Sequence, residues 1–197
     1  MIQQSLEHIY GDYLAPQPVS KEYLTLQFSP NSMARQQRWR NYGLSADFLG
    51  DYFATFFPGD EIPDGKINQR DTVKAAVSYI ANELLENAIK HNHASFPEPI
   101  SIALHLKEYQ LVFHVVNYAT QDVAGHYQSF IQAILEADDL QSLYLEQLEK
   151  TAMNADESKM GLLTMMSDYE ARFGWRFKEL SEEADIIQVD VMAYLDI

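Results

Sequence analysis

Residues 71–91, DTVKAAVSYIANELLENAIKH, hold no proline and no glycine, and they constrain the chain more than any other stretch. Ala, Leu, Glu and Lys, all good helix formers, recur through it. Val73, Val77, Ile80, Leu84 and Ala88 fall three or four positions apart, so a helix carries them on one apolar stripe. Asp71 is placed to cap its start. Lys90 and His91 suit the negative end of its dipole, and Asn92 lies just past the last apolar position. The expectation is a largely buried helix of about five turns, and the rest of the chain must cover its stripe.

The same helix has a second, polar face made of Glu83, Asn87, Lys90 and His91. Asn is a poor mid-helix residue because its side chain competes for backbone hydrogen bonds. A carboxylate one turn before an amide can support magnesium and water chemistry. The amide oxygen can ligate a hard cation, and the carboxylate can orient or deprotonate a hydroxyl. The alternative is an ordinary solvated face, with Glu86 and Lys90 as an i,i+4 ion pair worth about 0.3 kcal/mol.

Composition narrows the functional classes. With 197 residues, 47% of them apolar, the chain forms one domain, or one domain with a substantial extension, around a real core. Its 29 acidic residues against 14 basic ones leave a net charge of -15, which repels nucleic acids and anionic membranes. No cysteine is present, so disulfides, thiolate metal sites and cysteine nucleophiles are excluded. No apolar run approaches the ~18 residues of a membrane span, and the first residues lack a secretory pattern; a cytoplasmic setting is expected.

Along the chain, Leu6, Ile9 and Tyr10 are expected in a short helix or an arm. Residues 22–28 alternate as a strand. Residues 33–42 read as a basic helix with Arg35, Arg38, Arg40 and Trp39, able to meet a phosphate, a partner's carboxylates or this chain's own acids. Ser45 is placed to cap a second helix over 46–57, rich in aromatics and stopped by Pro58. Phe53 and its aromatic neighbours there are expected to supply an interface, with a second copy or a regulatory partner. Residues 100–106 and 111–117 form a hairpin. Helices are expected over 123–136, 139–153 and 161–169, and strands over 171–179 and 186–194. The order predicts a two-layer α/β sandwich, a mixed and mainly antiparallel sheet with helices on one face. No Walker loop or dinucleotide fingerprint occurs. His91 with His93, and His105 with His114, lack the one-turn spacing of a zinc motif.

Residues 83–91, ELLENAIKH, resemble the N-box of the GHKL superfamily of ATPases and kinases, which includes histidine kinases, type II topoisomerase ATPase domains and Hsp90 chaperones. The element order from about residue 68 to 195 is similar as well. The closer likeness is to small bacterial regulators of the SiaB-type and anti-sigma-factor kinase kind. The resemblance implies a Bergerat-type ATP-binding fold over 68–197, with residues 1–67 as an extension packed on it. It implies ATP and magnesium as cofactors, and a serine/threonine protein kinase or ATPase that phosphorylates or sequesters a small regulatory protein. By the same resemblance Asn87 holds magnesium, Glu83 is the general base, and Lys90 or His91 lies near the phosphates. Asn117 stands where the family has the Asp of its adenine-binding Asp-x-Gly-x-Gly, but Asn117-Tyr118-Ala119 lacks both glycines. The second glycine motif reduces to Gly161 before a helix, with Lys159 as an added charge. These losses open alternatives: a non-catalytic protein-binding module with a degenerate nucleotide site, or a homodimeric scaffold.

Overall fold

Alternation of large apolar side chains commits several stretches of the chain to strands, and a computed structural model places those strands in one sheet. It describes residues 6–15, 22–29, 35–59, 68–153, 160–180 and 185–197, with side chains for all of these except 35–41 and 149–153. Among them the elements run β1 (Glu7–Gly11), β2 (Glu22–Phe28), α1 (Arg35–Ala54), α2 (Gln69–Lys90), β3 (Ile100–Lys107), β4 (Gln110–Thr120), α3 (Gln121–Glu136), α4 (Leu140–Met153), α5 (Met160–Ser167), β5 (Arg172–Glu179) and β6 (Ile186–Asp196). The sheet order is β1-β5-β6-β4-β3-β2. Every pairing is antiparallel, so the sheet is not mixed as expected. The result is an α/β fold in which helices pack on an antiparallel sheet.

The core lies between one sheet face and the helices. Ile102, Phe113, Val191 and Trp175 point from neighbouring strands toward Val77, Ile80, Ala81 and Leu85 of α2, all buried in a single cluster. Val73, Leu84 and Ala88 complete the α2 stripe as the periodicity predicts. Its cap differs. Asn68, with extended backbone (ψ 122°), accepts the Arg70 N–H at 2.9 Å, and Asp71 instead lies in the first turn, where a carboxylate favours the helix dipole.

Over 33–57 the described residues, from Arg35 on, do not make two helices. α1 runs unbroken through Gly43 and Ser45, so Ser45 caps nothing. A glycine inside a helix costs about 1 kcal/mol, and burial of Ala46, Leu49 and Phe53 against α2 outweighs it. Gly50 permits the close approach: a Cβ there would collide with the Ser78 side chain of α2. Phe53 is therefore a core residue, 0% exposed, and not part of an interface. Phe53→Ala is expected to cost about 3–5 kcal/mol by the cavity it leaves, read from the urea midpoint.

The N-terminal residues, expected as a short helix or an arm, form the edge strand β1, with Ile9 opposite Arg176 and Tyr10 opposite Trp175. Since β1 and β2 are opposite edges of the sheet, the chain leaving β1 turns over the face that carries no described helix. Asp12 N–H donates to the Phe173 carbonyl at 2.8 Å. Tyr13 passes over Gly174, where any Cβ would strike its backbone, and Leu14 N–H reaches the Tyr194 hydroxyl at 3.3 Å. Beneath it Val112, Met192 and Tyr194 form a small second cluster. Asp190 of β6, 1% exposed, anchors this face. Its Oδ1 accepts from His114 Nε2 at 2.9 Å. Its Oδ2 accepts from Arg176 Nε at 3.2 Å and Nη2 at 3.1 Å, and from Gln188 Nε2 at 3.0 Å. The Arg176 guanidinium in turn stacks 5.3 Å from the Tyr13 ring centre. A boundary expected near residue 67 falls outside the described residues.

Candidate functional site

The β4 alternation brings one polar residue to the core face. Leu111, Phe113, Val115, Asn117 and Ala119 all point toward the helices, and Asn117 is 4% exposed. The strand does not stop at Asn117; it pairs on to Thr120, with Asn117 opposite Val189 and Ala119 opposite Ile187. Thr120 then caps α3, accepting the Val123 N–H at 3.4 Å. The end of α2 is fastened beside this point. Asn92 Oδ1 accepts the Tyr118 N–H at 2.9 Å, and His93 N–H donates to the Tyr118 carbonyl at 2.6 Å.

These ties bring Asn87 of α2 and His91, the C-cap just past its end, together with Asn117 around one small cavity of about 30 Å³. Leu84 and Ala88 form its α2 wall, Val189 and Val191 its floor. Val123, Ala124 and Tyr127 of α3 close one side, and Leu162 and Met165 of α5 the other. Neither the Asn87 nor the Asn117 side-chain amide has a hydrogen-bond partner among the described residues. Tyr127 is fixed by the Trp175 indole, whose Nε1–H donates to the phenol oxygen at 3.0 Å, and burial pushes its pKa up to about 12.

Glu83 lies one turn before Asn87, against the start of α5. α5 begins at Met160, so Gly161 is inside its first turn and not ahead of it. A Cβ at Gly161 would overlap the Glu83 carboxylate, which would have to swing aside. Tyr79, a further turn back, stacks on Tyr169 with ring centres 5.1 Å apart, which holds α2 on the segment after α5. Burial, and secondly the nearby charge of Glu86, push the Glu83 pKa above the ordinary carboxylate value.

Of the residues singled out in the sequence, Asn87, His91 and Asn117 line the cavity, while Glu83 and Gly161 make contact with each other beside it. Lys90, the last residue of α2, is exposed and does not line it. Lys159 lies outside the described residues. The α3 wall was not anticipated; its signal was the apolar set Val123, Ala124 and Tyr127, which sequence periodicity assigns to core as readily as to a site. Among the described residues, no three His, Asp or Glu side chains are grouped to hold a metal ion, and no helix is long and apolar enough to cross a membrane. Compared with known proteins, the chain matches no family model and no curated protein.

Proposed function

We propose that this chain is a signalling protein of the GHKL type, with a Bergerat-type fold, which binds ATP and magnesium in the α2–β4 cleft and phosphorylates or sequesters a small regulatory protein. The observation that supports this reading is the convergence of Asn87, His91 and Asn117, from two distant stretches of sequence, on one cavity with Glu83 one turn away. Two unpartnered amides are a good match for a magnesium nucleotide. The Asn87 oxygen suits a hard cation that takes its other ligands from phosphate and water, and Asn117 has both a donor and an acceptor for a base. When bound, the nucleotide supplies the transferable phosphoryl group.

In this reading the residues of the chain divide the work. Asn87 holds the cation, His91 sits at the cleft mouth on the same helix face, and Glu83 takes the proton from an attacking hydroxyl. The raised pKa of Glu83 makes it a stronger base than a solvated carboxylate. A cavity of about 30 Å³ has room for about one or two water molecules, so entry of a purine requires α3 or α5 to move outward. That small volume, with Ala119 where a glycine would give space, favours the second reading, a protein-binding module with a degenerate nucleotide site.

Calorimetric titration with ATP and magnesium separates the two. Binding that weakens at least about tenfold in Asn87→Ala, and only with magnesium present, is the expected result; no heat at millimolar nucleotide defeats the first reading. The partner, or a second copy, would meet the exposed apolar side chains Leu44 and Phe48 (49% exposed) of α1 and Phe56 just past its end. Phe48→Asp is expected to lower the sedimentation coefficient of the complex while leaving the thermal midpoint within a few degrees. An unchanged coefficient removes α1 from the interface.

A further inference from the structure

We infer that two copies of this chain join edge to edge through β2, pairing residues 22–28 antiparallel about Thr25, an arrangement that goes beyond the reading above and needs no nucleotide. β2 ends the sheet, bonded to β3 on one side and to no described strand on the other. Such an edge is a template for a further strand, and proteins ordinarily guard it with lysine, proline, a bulge or a short length. Residues 22–28, EYLTLQF, have no lysine, proline or glycine, and they pair with β3 residue for residue from Glu22 to Phe28 with no bulge. The opposite edge is different. β1 is five residues long and ends at Gly11, whose φ of 58° sends the chain away over the sheet.

The strand is complementary to itself. A two-fold axis through Thr25 sets Thr25 against Thr25, Leu24 against Leu26 and Tyr23 against Gln27 of the second copy. A Thr–Thr pair is among the favourable cross-strand pairs. Leu24, Leu26 and Phe28 face the helices but are only half-buried at this edge, so the pairing covers apolar area that one copy leaves open. Glu22 is the strand's one charge, and in this register its two copies stand about 20 Å apart. Charge favours the same place. The net charge of -15 makes two copies repel over most of their surface. Residues 23–46 are the longest stretch of the chain without Asp or Glu, and they include Arg35, Arg38 and Arg40. Approach along β2 therefore brings the least acidic part of each sequence together.

Seven paired residues make a narrow contact, and α1 widens it. The Tyr42 ring packs edge-on against Phe28 with centres 5.1 Å apart, which sets α1 over the end of β2. Gly50 of α1 faces α2, where a Cβ would meet the Ser78 side chain. Phe48, two positions earlier, is about 200° round the helix from Gly50, so it lies on the flank turned away from α2. It is exposed, and its ring lies 6.3 Å from that of Tyr52. A two-fold axis normal to the sheet keeps both helix layers on the same side. The two Phe48 flanks then face each other above the joined strands.

The chain has no cysteine, so single cysteines report the pairing cleanly. The test is sedimentation of the full chain without nucleotide, then oxidative cross-linking of Thr25→Cys, Tyr23→Cys and Ile9→Cys, with circular dichroism to check folding. The wild type is expected to sediment as a dimer. In Thr25→Cys the two Cα atoms lie about 4.5–5.5 Å apart, inside the span of a disulfide, and a covalent dimer is expected. The two copies of Tyr23→Cys are about 14 Å apart in this register, and Ile9→Cys is on the other edge. Both are expected to cross-link at least about tenfold more slowly. Thr25→Lys sets two ammonium groups against each other and is expected to weaken the dimer at least about tenfold. A wild type that is monomeric at about 100 μM overturns the inference. So does a folded Thr25→Cys that forms no covalent dimer, or a Tyr23→Cys or Ile9→Cys that cross-links as fast. A folded Thr25→Lys that dimerises like the wild type overturns it as well, and this variant decides if the cysteine variants do not fold. No arm contains nucleotide, so the reading of the α2–β4 cleft stands or falls separately.

Discussion

If the proposed function holds, Glu83→Gln is expected to lower phosphoryl transfer by about 10²- to 10⁴-fold, the contribution of a positioned general base, while nucleotide affinity changes little. The same substitution is expected to make the protein more stable at neutral pH. Glu83 is partly buried beside Gly161 and Glu86, and its pKa is raised in the folded state. A carboxyl with a raised folded pKa favours folding most when it is protonated in both states. That contribution falls as pH climbs from the unfolded pKa through the folded one, and above both it is gone. Gln carries no charge at any pH. The gain in melting temperature of Glu83→Gln over wild type should therefore be small below the carboxylate range and should grow across it to a plateau. Glu86→Gln is the control, expected to change stability by at most about 0.5 kcal/mol and to leave transfer nearly intact. If both variants lose the same activity, the helix has no catalytic face. If Glu83→Gln destabilises at neutral pH, its carboxylate has a partner that the α2–α5 contact does not include.

The second large effect is structural. Asp190→Ala is expected to cost about 3 kcal/mol, the lower end of what breaking a buried ion pair costs. The change leaves Arg176 and His114 without the carboxylate to which both donate. The lower end applies because Arg176 keeps some solvent contact and has Glu7 at 3.9 Å. Folded domains are stable by about 5–15 kcal/mol, so the shift in urea midpoint should be plain. Asp190→Asn keeps an acceptor for Gln188 and Arg176 and should cost less. A loss below about 1 kcal/mol for the alanine variant would show that the sheet face does not depend on this carboxylate.

How far the sequence carries depends on whether a local pattern decides. The α2 stripe and the alternation in β2, β3 and β4 were legible because periodicity and burial agree there; β6 alternates in sequence but is buried on both faces. Elsewhere a distant contact decides. β1 has an almost wholly exposed pattern and owes its extended form to pairing with β5, which no local signal reports. Gly43 reads as a break, yet packing of α1 on α2 carries the helix through it. Aromatics surround α1, so periodicity could not say that Phe53 faces inward and Phe48 outward. At the site, Glu83, Asn87 and His91 were legible as one helix face. What was not legible is that β4 runs on to Thr120, which caps α3, so that Val123, Ala124 and Tyr127 line the same cavity.

The placement of β1 and β2 on opposite edges also bears on how the chain is made. Ile9 finds its partner Arg176 about 170 residues later, and at ordinary rates of translation that delay is roughly 10 to 30 s. Over that interval the first strand of the sheet has been synthesised but has nothing to pair with. β2 waits for a shorter time, since β3 begins at Ile100. The sheet can grow outward from β3 and β4 as they emerge, whereas β1 can pair only once β5 has been made. Strand pairing over such long separations slows folding, and an unpaired β5 edge is a template for the same strand of another nascent chain. Crowding of ribosomes on one message should therefore favour exchange of β1 between neighbouring copies, and slower initiation should suppress it.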